Sequence, residues 1–354
     1  MCKKSYFRPA VDAMLGYVPG DQPKLDKIIK LNTNENPYPP SPRVQEALNA
    51  VSCATLRRYP DPTADRLREV IAALHGVERA NVIAGNGSDD ILTIAFRAFT
   101  SPELPLACLD PTYSLYTDLA AMQEAKVIKI PLSKNDFAPP ADLLERATGA
   151  NLLIITRPNA PTGTTFPLET AENIVQNFDG MVMFDEAYAD FAPDNCMALA
   201  TRYPNVIVMR TLSKSYALAG MRIGYAVATE AVIKGMMKLK DSYNLDSITQ
   251  LLAAAALSDR DYFAEHVKLV RASRGELVRD LTELGFFIPD SEGNFLFARP
   301  PQGDGRGYFE FLKSQAIFVR YFNSPGIDEF VRISIGTPEE LAELVTATKE
   351  YLAR

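Results

Sequence analysis

Histidine is scarce in this chain of 354 residues, which contains only His75 and His266. Both lie in stretches with a helix-like pattern, where a histidine is more often structural or solvated than catalytic. Neither a histidine general base nor a zinc site built on histidines is therefore expected, and no metal ion is predicted. The chemistry of the chain has to come from other groups.

Closely spaced cysteines, excess positive charge and long apolar runs are also lacking. The four cysteines lie far apart without metal-ligand spacing, which predicts free thiols in a reducing cytoplasm. A net charge of −7 without a basic stripe argues against a nucleic-acid surface, although local arginines can still bind anionic substrates. No window is apolar enough for a membrane span, and the charged start is not followed by the apolar run of a signal peptide. The composition predicts a cytoplasmic globular protein, long enough for two domains.

Short apolar stretches alternate with helical patterns through much of the chain. Strands are predicted at residues 81–84, 106–109, 127–132, 152–156, 181–184, 206–209 and 223–228. Strands that alternate with helices favour an α/β fold with a mostly parallel sheet covered on both faces. Towards the C-terminus, short strands at 294–298, 317–321 and 331–335 mix with helices, which predicts a smaller α+β domain.

The most informative stretch surrounds Lys214. An apolar strand at 206–209 leads into Thr-Leu-Ser-Lys at 211–214, and Arg222 follows among glycines. Burial and nearby cations lower the pKa of a lysine, which favours Schiff-base chemistry with carbonyl compounds. A lone lysine at a strand end is more often solvated. However, the hydroxyls of Thr211 and Ser213 with the guanidinium of Arg222 form a site of the type that holds a phosphate.

A second apolar strand, at 181–184, ends in Asp185, and Tyr188 follows three residues later. Proteins with α/β sheets bind ligands at the carboxyl ends of their strands, so an acid at that position is a candidate binding residue. Three features together suggest pyridoxal 5′-phosphate: a lysine that can bind an aldehyde, a site for a phosphate, and an aspartate at the end of a strand. This cofactor needs a Schiff-base lysine and an acid beside its pyridine nitrogen.

These motifs resemble those of the aspartate-aminotransferase-like (fold type I) enzymes and, within them, the histidinol-phosphate aminotransferases. The resemblance runs from Leu-Asn-Thr-Asn-Glu-Asn-Pro at 31–37 to Val-Arg-Ile-Ser-Ile-Gly-Thr at 331–337. It implies a large cofactor-binding domain at residues 38–245, with a mostly parallel seven-stranded sheet covered by helices. It also implies an N-terminal arm and a small α+β domain, formed by residues 1–37 and 246–354, and a homodimer with shared active sites.

A glycine turn at 85–87 precedes a predicted helix. Glycines let the backbone approach a ligand, and a helix N-terminus favours an anion. The dinucleotide pattern is absent because Asp90 stands where its third glycine should be. Tyr59 is similar to a tyrosine that reaches the cofactor's phosphate from a neighbouring subunit in the family. The other residues that the resemblance assigns to the phosphate are Gly87, Ser88, Asp89, Thr211, Ser213 and Arg222.

The resemblance also gives roles around the cofactor's ring. Lys214 matches the Schiff-base lysine, which then shuttles a proton between substrate and cofactor. Asp185 matches the acid that keeps the pyridine nitrogen protonated, and Tyr188 matches the hydroxyl near the phenolic oxygen. Tyr113 matches the aromatic residue that stacks on the ring.

One position departs from the family pattern. The family usually has Asn-Pro-Thr-Gly where this chain has Ala160 before Pro-Thr-Gly. The asparagine of that pattern donates to the cofactor's phenolic oxygen, and alanine cannot donate. Asn159 is offset by one residue, so the role is not transferred to it. The phenolic oxygen is then expected to depend on Tyr188, with a changed pKa of the bound cofactor or a weakened enzyme as the consequence.

The predicted substrate contacts are two arginines and a tyrosine. Arg332 matches the arginine that binds the carboxylate of amino-acid substrates, and Arg320 matches a second arginine near the substrate phosphate in histidinol-phosphate enzymes. Tyr17 matches a tyrosine of the N-terminal arm in that region. The predicted reaction converts histidinol phosphate and 2-oxoglutarate into imidazole acetol phosphate and L-glutamate. An aromatic amino-acid aminotransferase and a threonine-phosphate decarboxylase, which is a lyase, are the alternatives.

Overall fold

A computed structural model of the protein describes residues 5–14, 16 and 28–354. The helices are α1 (Pro9–Ala13), α2 (Pro42–Asn49), α3 (Asp65–His75), α4 (Ser88–Phe99), α5 (Leu115–Met122), α6 (Leu143–Arg146), α7 (Leu168–Asn177), α8 (Leu199–Arg202), α9 (Glu230–Met237), α10 (Ser247–Leu257), α11 (Arg260–Glu283), α12 (Gly305–Ser314) and α13 (Pro338–Leu352). The strands are β1 (Ile29–Lys30), β2 (Val82–Asn86), β3 (Leu106–Asp110), β4 (Val127–Pro131), β5 (Leu152–Thr156), β6 (Met181–Asp185), β7 (Val206–Thr211), β8 (Ile223–Ala228), β9 (Phe295–Ala298), β10 (Ile317–Phe318), β11 (Arg320–Tyr321) and β12 (Val331–Ser334).

The main sheet has seven strands in the order β2-β8-β7-β6-β5-β3-β4. Its strands are parallel to their neighbours except β8, which is antiparallel to both β2 and β7. The predicted α/β fold with a mostly parallel seven-stranded sheet is therefore confirmed. The parallel strands bring their carboxyl ends to one edge of the sheet, which is the edge where α/β proteins bind ligands.

Strand β5 shows why the main sheet is covered on both faces. Leu153 and Ile155 pack into one hydrophobic core, whereas Leu152 and Ile154 pack into a second core on the opposite face. Successive side chains of a strand point to opposite faces, so an unbroken apolar run is stable only with helices on both sides. The same alternation continues to the ends of β6 and β7, where polar residues of the candidate site follow.

A third, smaller core belongs to the C-terminal part of the chain. Strands β11, β12 and β9 form an antiparallel sheet in that order, and residues of α11, α12 and α13 pack with it around buried side chains such as Phe311 and Leu344. The strand predicted at 317–321 is two strands, because β10 pairs with β1 while β11 pairs with β12. Leu31, just after β1, is buried in this smaller core.

The domain limits at residues 37/38 and 245/246 stay a prediction. Pairing of β1 with β10 joins the segment before residue 38 to the smaller core. In contrast, α10 starts at Ser247, beyond the predicted limit, and its Leu252 and Leu257 pack into the core of the main sheet. Within the described part of the chain, no helix has the length and apolarity to cross a membrane.

Candidate active site

The ends of three parallel strands bring the predicted site residues to one edge of the main sheet. Tyr113 follows β3, Asp185 ends β6, and Lys214 follows β7. Strand β2 ends at the same edge, and α4 begins there immediately after Gly87. The site is thus built from loops and strand ends that are distant in sequence and adjacent in the sheet.

Lys214 lies in a loop that contacts an N-terminal segment of the chain. Its Nζ donates to the carbonyl of Thr33 at 2.9 Å and lies 5.9 Å from the ring centroid of Tyr188. Burial, the largest cause, lowers the pKa of Lys214 to about 8, and the guanidinium groups of Arg332 and Arg222 act in the same direction. Part of the amine is therefore neutral near pH 7, which attack on an aldehyde requires.

Asp185 is buried, with 4% of its surface exposed. Its Oδ2 accepts a hydrogen bond from the Tyr116 hydroxyl at 2.5 Å, and its Oδ1 accepts one from the backbone N–H of Ala187 at 3.1 Å. Burial raises the pKa of Asp185 to about 6, while both hydrogen bonds act to lower it. A cationic ring nitrogen beside this carboxyl group would favour its ionised form.

The start of α4 closely approaches the guanidinium of Arg222. Gly87 has a φ of +81°, and a Cβ at this position would lie 2.6 Å from Arg222 Nη2. A Cβ on Gly224 would lie 2.4 Å from the backbone nitrogen of Ser88. Side chains are thus excluded where the backbone of β8 meets the first turn of α4, which leaves a cradle beside a helix N-terminus.

Hydroxyl groups complete this cradle. Thr211 Oγ1 donates to Ser213 Oγ at 3.0 Å, and Arg222 Nη1 donates to the same Ser213 oxygen at 3.5 Å. Arg222 Nη2 lies 3.3 Å from Asp89 Oδ2. The structure therefore brings together the predicted phosphate-binding residues, namely Gly87, Ser88, Asp89, Thr211, Ser213 and Arg222.

The donor set fits pyridoxal phosphate. The cradle offers hydroxyls, a guanidinium and a helix start, which suit a phosphate. Asp185 offers a buried carboxylate for a ring nitrogen, and Lys214 offers an amine with a lowered pKa. Tyr113 packs edge-to-face on Tyr116, with ring centroids 5.6 Å apart, and thus lies next to the partner of Asp185. No group of His, Cys, Asp and Glu able to hold a metal ion is found in the described ranges.

Ala160 and Tyr188 pack together in a small buried cluster with Phe295. The amide of neighbouring Asn159 donates to the carbonyl of Pro111 at 3.1 Å and to Thr162 Oγ1 at 2.9 Å. Both amide hydrogens of Asn159 thus have partners within the protein. This geometry gives no support to Asn159 as a substitute for the asparagine that Ala160 replaces.

Arg320 and Arg332 are directly opposite each other in the register of β11 and β12. Each guanidinium lies 5.5 Å from the ring centroid of Phe322, and Arg332 Nη2 donates to the carbonyl of Asn32 at 3.1 Å. Cross-strand partners project from the same face of a sheet, so the structure places the two predicted substrate arginines side by side.

One predicted residue, Tyr59, stands apart from this group. Tyr59 is 82% exposed and stacks on Tyr243, with ring centroids 4.5 Å apart. It is therefore presented at the surface of the chain. Tyr17 lies outside the described residues.

Polar residues of the segment 31–37 also contact the site, although no role was predicted for them. Asn34 Nδ2 donates to the Tyr188 hydroxyl at 3.0 Å, and Asn36 Nδ2 donates to the carbonyl of Lys214 at 3.1 Å. Tyr116, the partner of Asp185, was likewise not singled out. The three asparagines within 31–37 were a signal that could have identified Asn34 and Asn36, whereas Tyr116 lies in an ordinary helical pattern.

Comparison with known proteins places the chain in a family. Residues 26–347 match the sequence model of the aminotransferases of class I and II. The chain belongs to this family. A histidinol-phosphate aminotransferase of Trichormus variabilis is 44% identical over 98% of this chain and 99% of its own length. A second one, from Microcystis aeruginosa, is 44% identical over 98% of both chains.

Solved structures agree with this placement. The histidinol-phosphate aminotransferase of Sinorhizobium meliloti, in complex with pyridoxal 5′-phosphate, is similar to this chain with a TM-score of 0.90, at 25% identity and 99% coverage of both chains. The aspartate aminotransferase of Thermotoga maritima shares the fold, with a TM-score of 0.81 at 22% identity over 93% of this chain and 92% of its own. The chain is thus a fold type I aminotransferase that depends on pyridoxal phosphate.

Proposed function

We propose that this aminotransferase transfers the amino group of histidinol phosphate to 2-oxoglutarate, giving imidazole acetol phosphate and L-glutamate. The observation that carries the proposal is the pairing of Arg320 with Arg332 across two strands. Like charges directly opposite each other destabilise a sheet, so such a pair suits an anionic ligand. Guanidinium groups bind both phosphate and carboxylate in bidentate geometry. One pair can therefore receive the phosphate of one substrate and a carboxylate of the other in turn.

The names of the relatives support the same substrate. The proteins from Trichormus variabilis and Microcystis aeruginosa match this chain over nearly its full length and are histidinol-phosphate aminotransferases. The alternatives, an aromatic amino-acid aminotransferase and a threonine-phosphate decarboxylase, have no comparable support.

In the proposed reaction each residue has a defined task. Pyridoxal phosphate, when bound, supplies an electron sink for the bond that is broken at the substrate carbon. Lys214 Nζ would hold the cofactor and would move the proton at that carbon. Asp185 would keep the ring nitrogen protonated, and Tyr188 would donate to the phenolic oxygen. Tyr113 would orient the ring by stacking on it.

The remaining residues would bind anions. The cofactor's phosphate would be held by Gly87, Ser88, Asp89, Thr211, Ser213 and Arg222. We propose that Tyr59 serves the same phosphate in a second copy of this chain, within a homodimer, and that Tyr17 contributes to substrate binding. A cytoplasmic location is supported by the free thiols of Cys53, Cys108 and Cys196.

A substrate panel with the purified enzyme tests the proposed reaction. Histidinol phosphate, phenylalanine and threonine phosphate are each supplied with 2-oxoglutarate, and glutamate and carbon dioxide are measured. We expect glutamate to form fastest with histidinol phosphate. A preference for phenylalanine would favour the aromatic aminotransferase, and release of carbon dioxide from threonine phosphate would favour the lyase.

A further inference from the structure

An ion pair lies on the face of the main sheet opposite Asp185. Because side chains alternate along a strand, Glu186 and Arg210 point away from the face that holds Asp185 and Thr211. Arg210 Nε and Nη2 lie 2.9 and 2.8 Å from Glu186 Oε2, and Nη1 donates to Asp190 Oδ1 at 2.6 Å. The Glu186 and Arg210 side chains are 0% and 6% exposed. These side chains come from the same strand ends as the active-site residues, but they lie on the other face of the sheet.

Asp190 connects this ion pair to the loop that carries Lys214. Ser215, the residue after Lys214, is buried, and its Oγ donates to Asp190 Oδ2 at 2.5 Å. Residues 212–218 contain neither helix nor strand, so contacts of this kind determine the position of their backbone. On the other side of the loop, Asn36 Nδ2 donates to the carbonyls of Lys214 and Ser215, at 3.1 Å each.

We propose that Asp190 is a positioning residue for the reaction: Arg210 fixes its orientation, and through Ser215 it holds the loop that carries Lys214. The inference rests on the function proposed for Lys214. Asp190 acts through its hydrogen bond with Ser215, the residue next to Lys214, and not by contact with the reacting atoms.

The hydrogen bonds of Asp190 show how its orientation is determined. Oδ1 accepts from Arg210 and Oδ2 accepts from Ser215, so both oxygens are engaged by different elements of the fold. The carboxylate also lines a polar cavity of about 180 Å³, together with Arg210 and Tyr216. A buried ion pair adds little net stability, because the cost of removing charges from water offsets much of their attraction. The location of this ion pair next to the loop is therefore better explained by its effect on the orientation of Asp190 than by a contribution to folding stability.

The titration of Lys214 is a sensitive measure of its position. Charged and aromatic groups from several elements surround its amine, so that a small displacement changes its environment. The groups are Arg332, Glu35, Arg222, Asp89 and Tyr188. Ser215→Ala removes no charge, so a shifted titration in this variant reports a displaced Lys214. Asp190→Asn also removes a negative charge, which by itself lowers the pKa of a nearby cation, so only an upward shift in that variant reports displacement.

The test compares Ser215→Ala, Asp190→Asn and the double variant as complete holoenzymes. For both single variants we expect kcat to fall about ten-fold with little change in KM, the size typical for loss of a hydrogen bond to a charged group. The pH midpoint of the cofactor's absorbance should move upward, because a loosened lysine nitrogen is better hydrated when protonated. The double variant should be no worse than Asp190→Asn alone, since one hydrogen bond joins the two residues.

A buried residue of the smaller core provides the matched control. Thr348 and Tyr308 share a hydrogen bond of 2.6 Å, so Thr348→Val should lower the unfolding temperature without moving kcat or the midpoint. If Ser215→Ala keeps the wild-type pH midpoint and kcat and only its unfolding temperature falls, the positioning role is overturned. Borohydride reduction of the wild-type holoenzyme separates the two proposals, because labelling of a lysine other than Lys214 contradicts the proposed function itself.

Discussion

At the scale of single residues, the protonation of Asp185 is set by opposing influences. Burial raises its pKa to about 6, whereas hydrogen bonds from Tyr116 and from the backbone of Ala187 lower it. In the role proposed for Asp185, the carboxylate has to be ionised to keep the cofactor's ring nitrogen protonated. We therefore expect the acid limit of cofactor binding to depend on how well Tyr116 stabilises the negative charge.

Tyr116→Phe should move this acid limit to higher pH. Without the hydroxyl the pKa of Asp185 rises, so its carboxylate becomes protonated at a higher pH than in the wild type. A hydrogen bond to a charged group contributes about 1.5–3 kcal/mol, which corresponds to a shift of about one to two pH units. The measurement is the affinity of the apoenzyme for pyridoxal phosphate between pH 5 and 8, the range around the pKa of this carboxyl group.

The control for this variant is Tyr203→Phe. The Tyr203 hydroxyl donates to Glu172 at 2.6 Å, away from the site, and its loss should leave the acid limit unchanged. An unmoved limit in Tyr116→Phe would mean that Tyr116 is only a packing residue.

Ala160→Asn should lower the pH midpoint of the cofactor's absorbance. Ala160 packs against Tyr188, so an amide at this position would lie near the group proposed to bind the phenolic oxygen. A new donor there favours the form in which the oxygen carries undivided negative charge and the Lys214 nitrogen carries no proton. Ala160→Val adds volume without a donor and serves as the control. Equal midpoints in the two variants would argue that volume, and not hydrogen bonding, causes the change.

At the scale of elements, the sequence predicted those strands whose apolar pattern is continuous along the chain. The run of apolar residues at β5 identifies a strand that is buried on both faces, and its bounds are those predicted. The antiparallel direction of β8 depends on its partners β2 and β7, which no local pattern encodes. For the same reason the division of 317–321 between two sheets was missed. Asn34 was missed because its partners, Tyr188 and Ser334, are 154 and 300 residues away in the chain.

Arg320 on β11 and Arg332 on β12 should distinguish substrates by their charged groups. Arg320→Ala should reduce kcat/KM for histidinol phosphate about 10- to 100-fold, as expected for loss of a charged hydrogen bond, and affect phenylalanine much less. Arg332→Ala should impair every donor, glutamate included. The measurement is kcat/KM for each donor in the wild type and both variants.

Arg299→Ala is a matched control for these variants. Arg299 follows β9 and pairs with Glu329 at 3.2 Å, so its loss should change neither specificity constant. Equal losses for phosphorylated and non-phosphorylated donors in Arg320→Ala would remove the case for a phosphate-binding arginine and favour the general aromatic aminotransferase.

At the scale of the whole molecule, one predicted cofactor residue lies on the outer surface. Tyr59 and Tyr243 form a stack whose members are 82% and 48% exposed, and Leu56 nearby in the chain is 47% exposed. Exposed aromatic and apolar side chains of this kind are typical of protein interfaces. A second copy of the chain that covers this surface could receive Tyr59 at its own phosphate cradle, which is the arrangement that the proposed homodimer requires.

Mixed dimers test whether Tyr59 serves the site of the other copy. Tyr59→Ala should weaken binding of pyridoxal phosphate, and Lys214→Ala should abolish turnover. If Tyr59 acts across the interface, a heterodimer of the two variants contains one site with both residues intact and one with neither. Co-refolding equal amounts should then restore about a quarter of the wild-type activity at limiting cofactor, because half the dimers are mixed and half their sites are complete. If Tyr59 instead serves its own chain, each site of the heterodimer lacks one residue, and the mixture gains nothing over the separate variants.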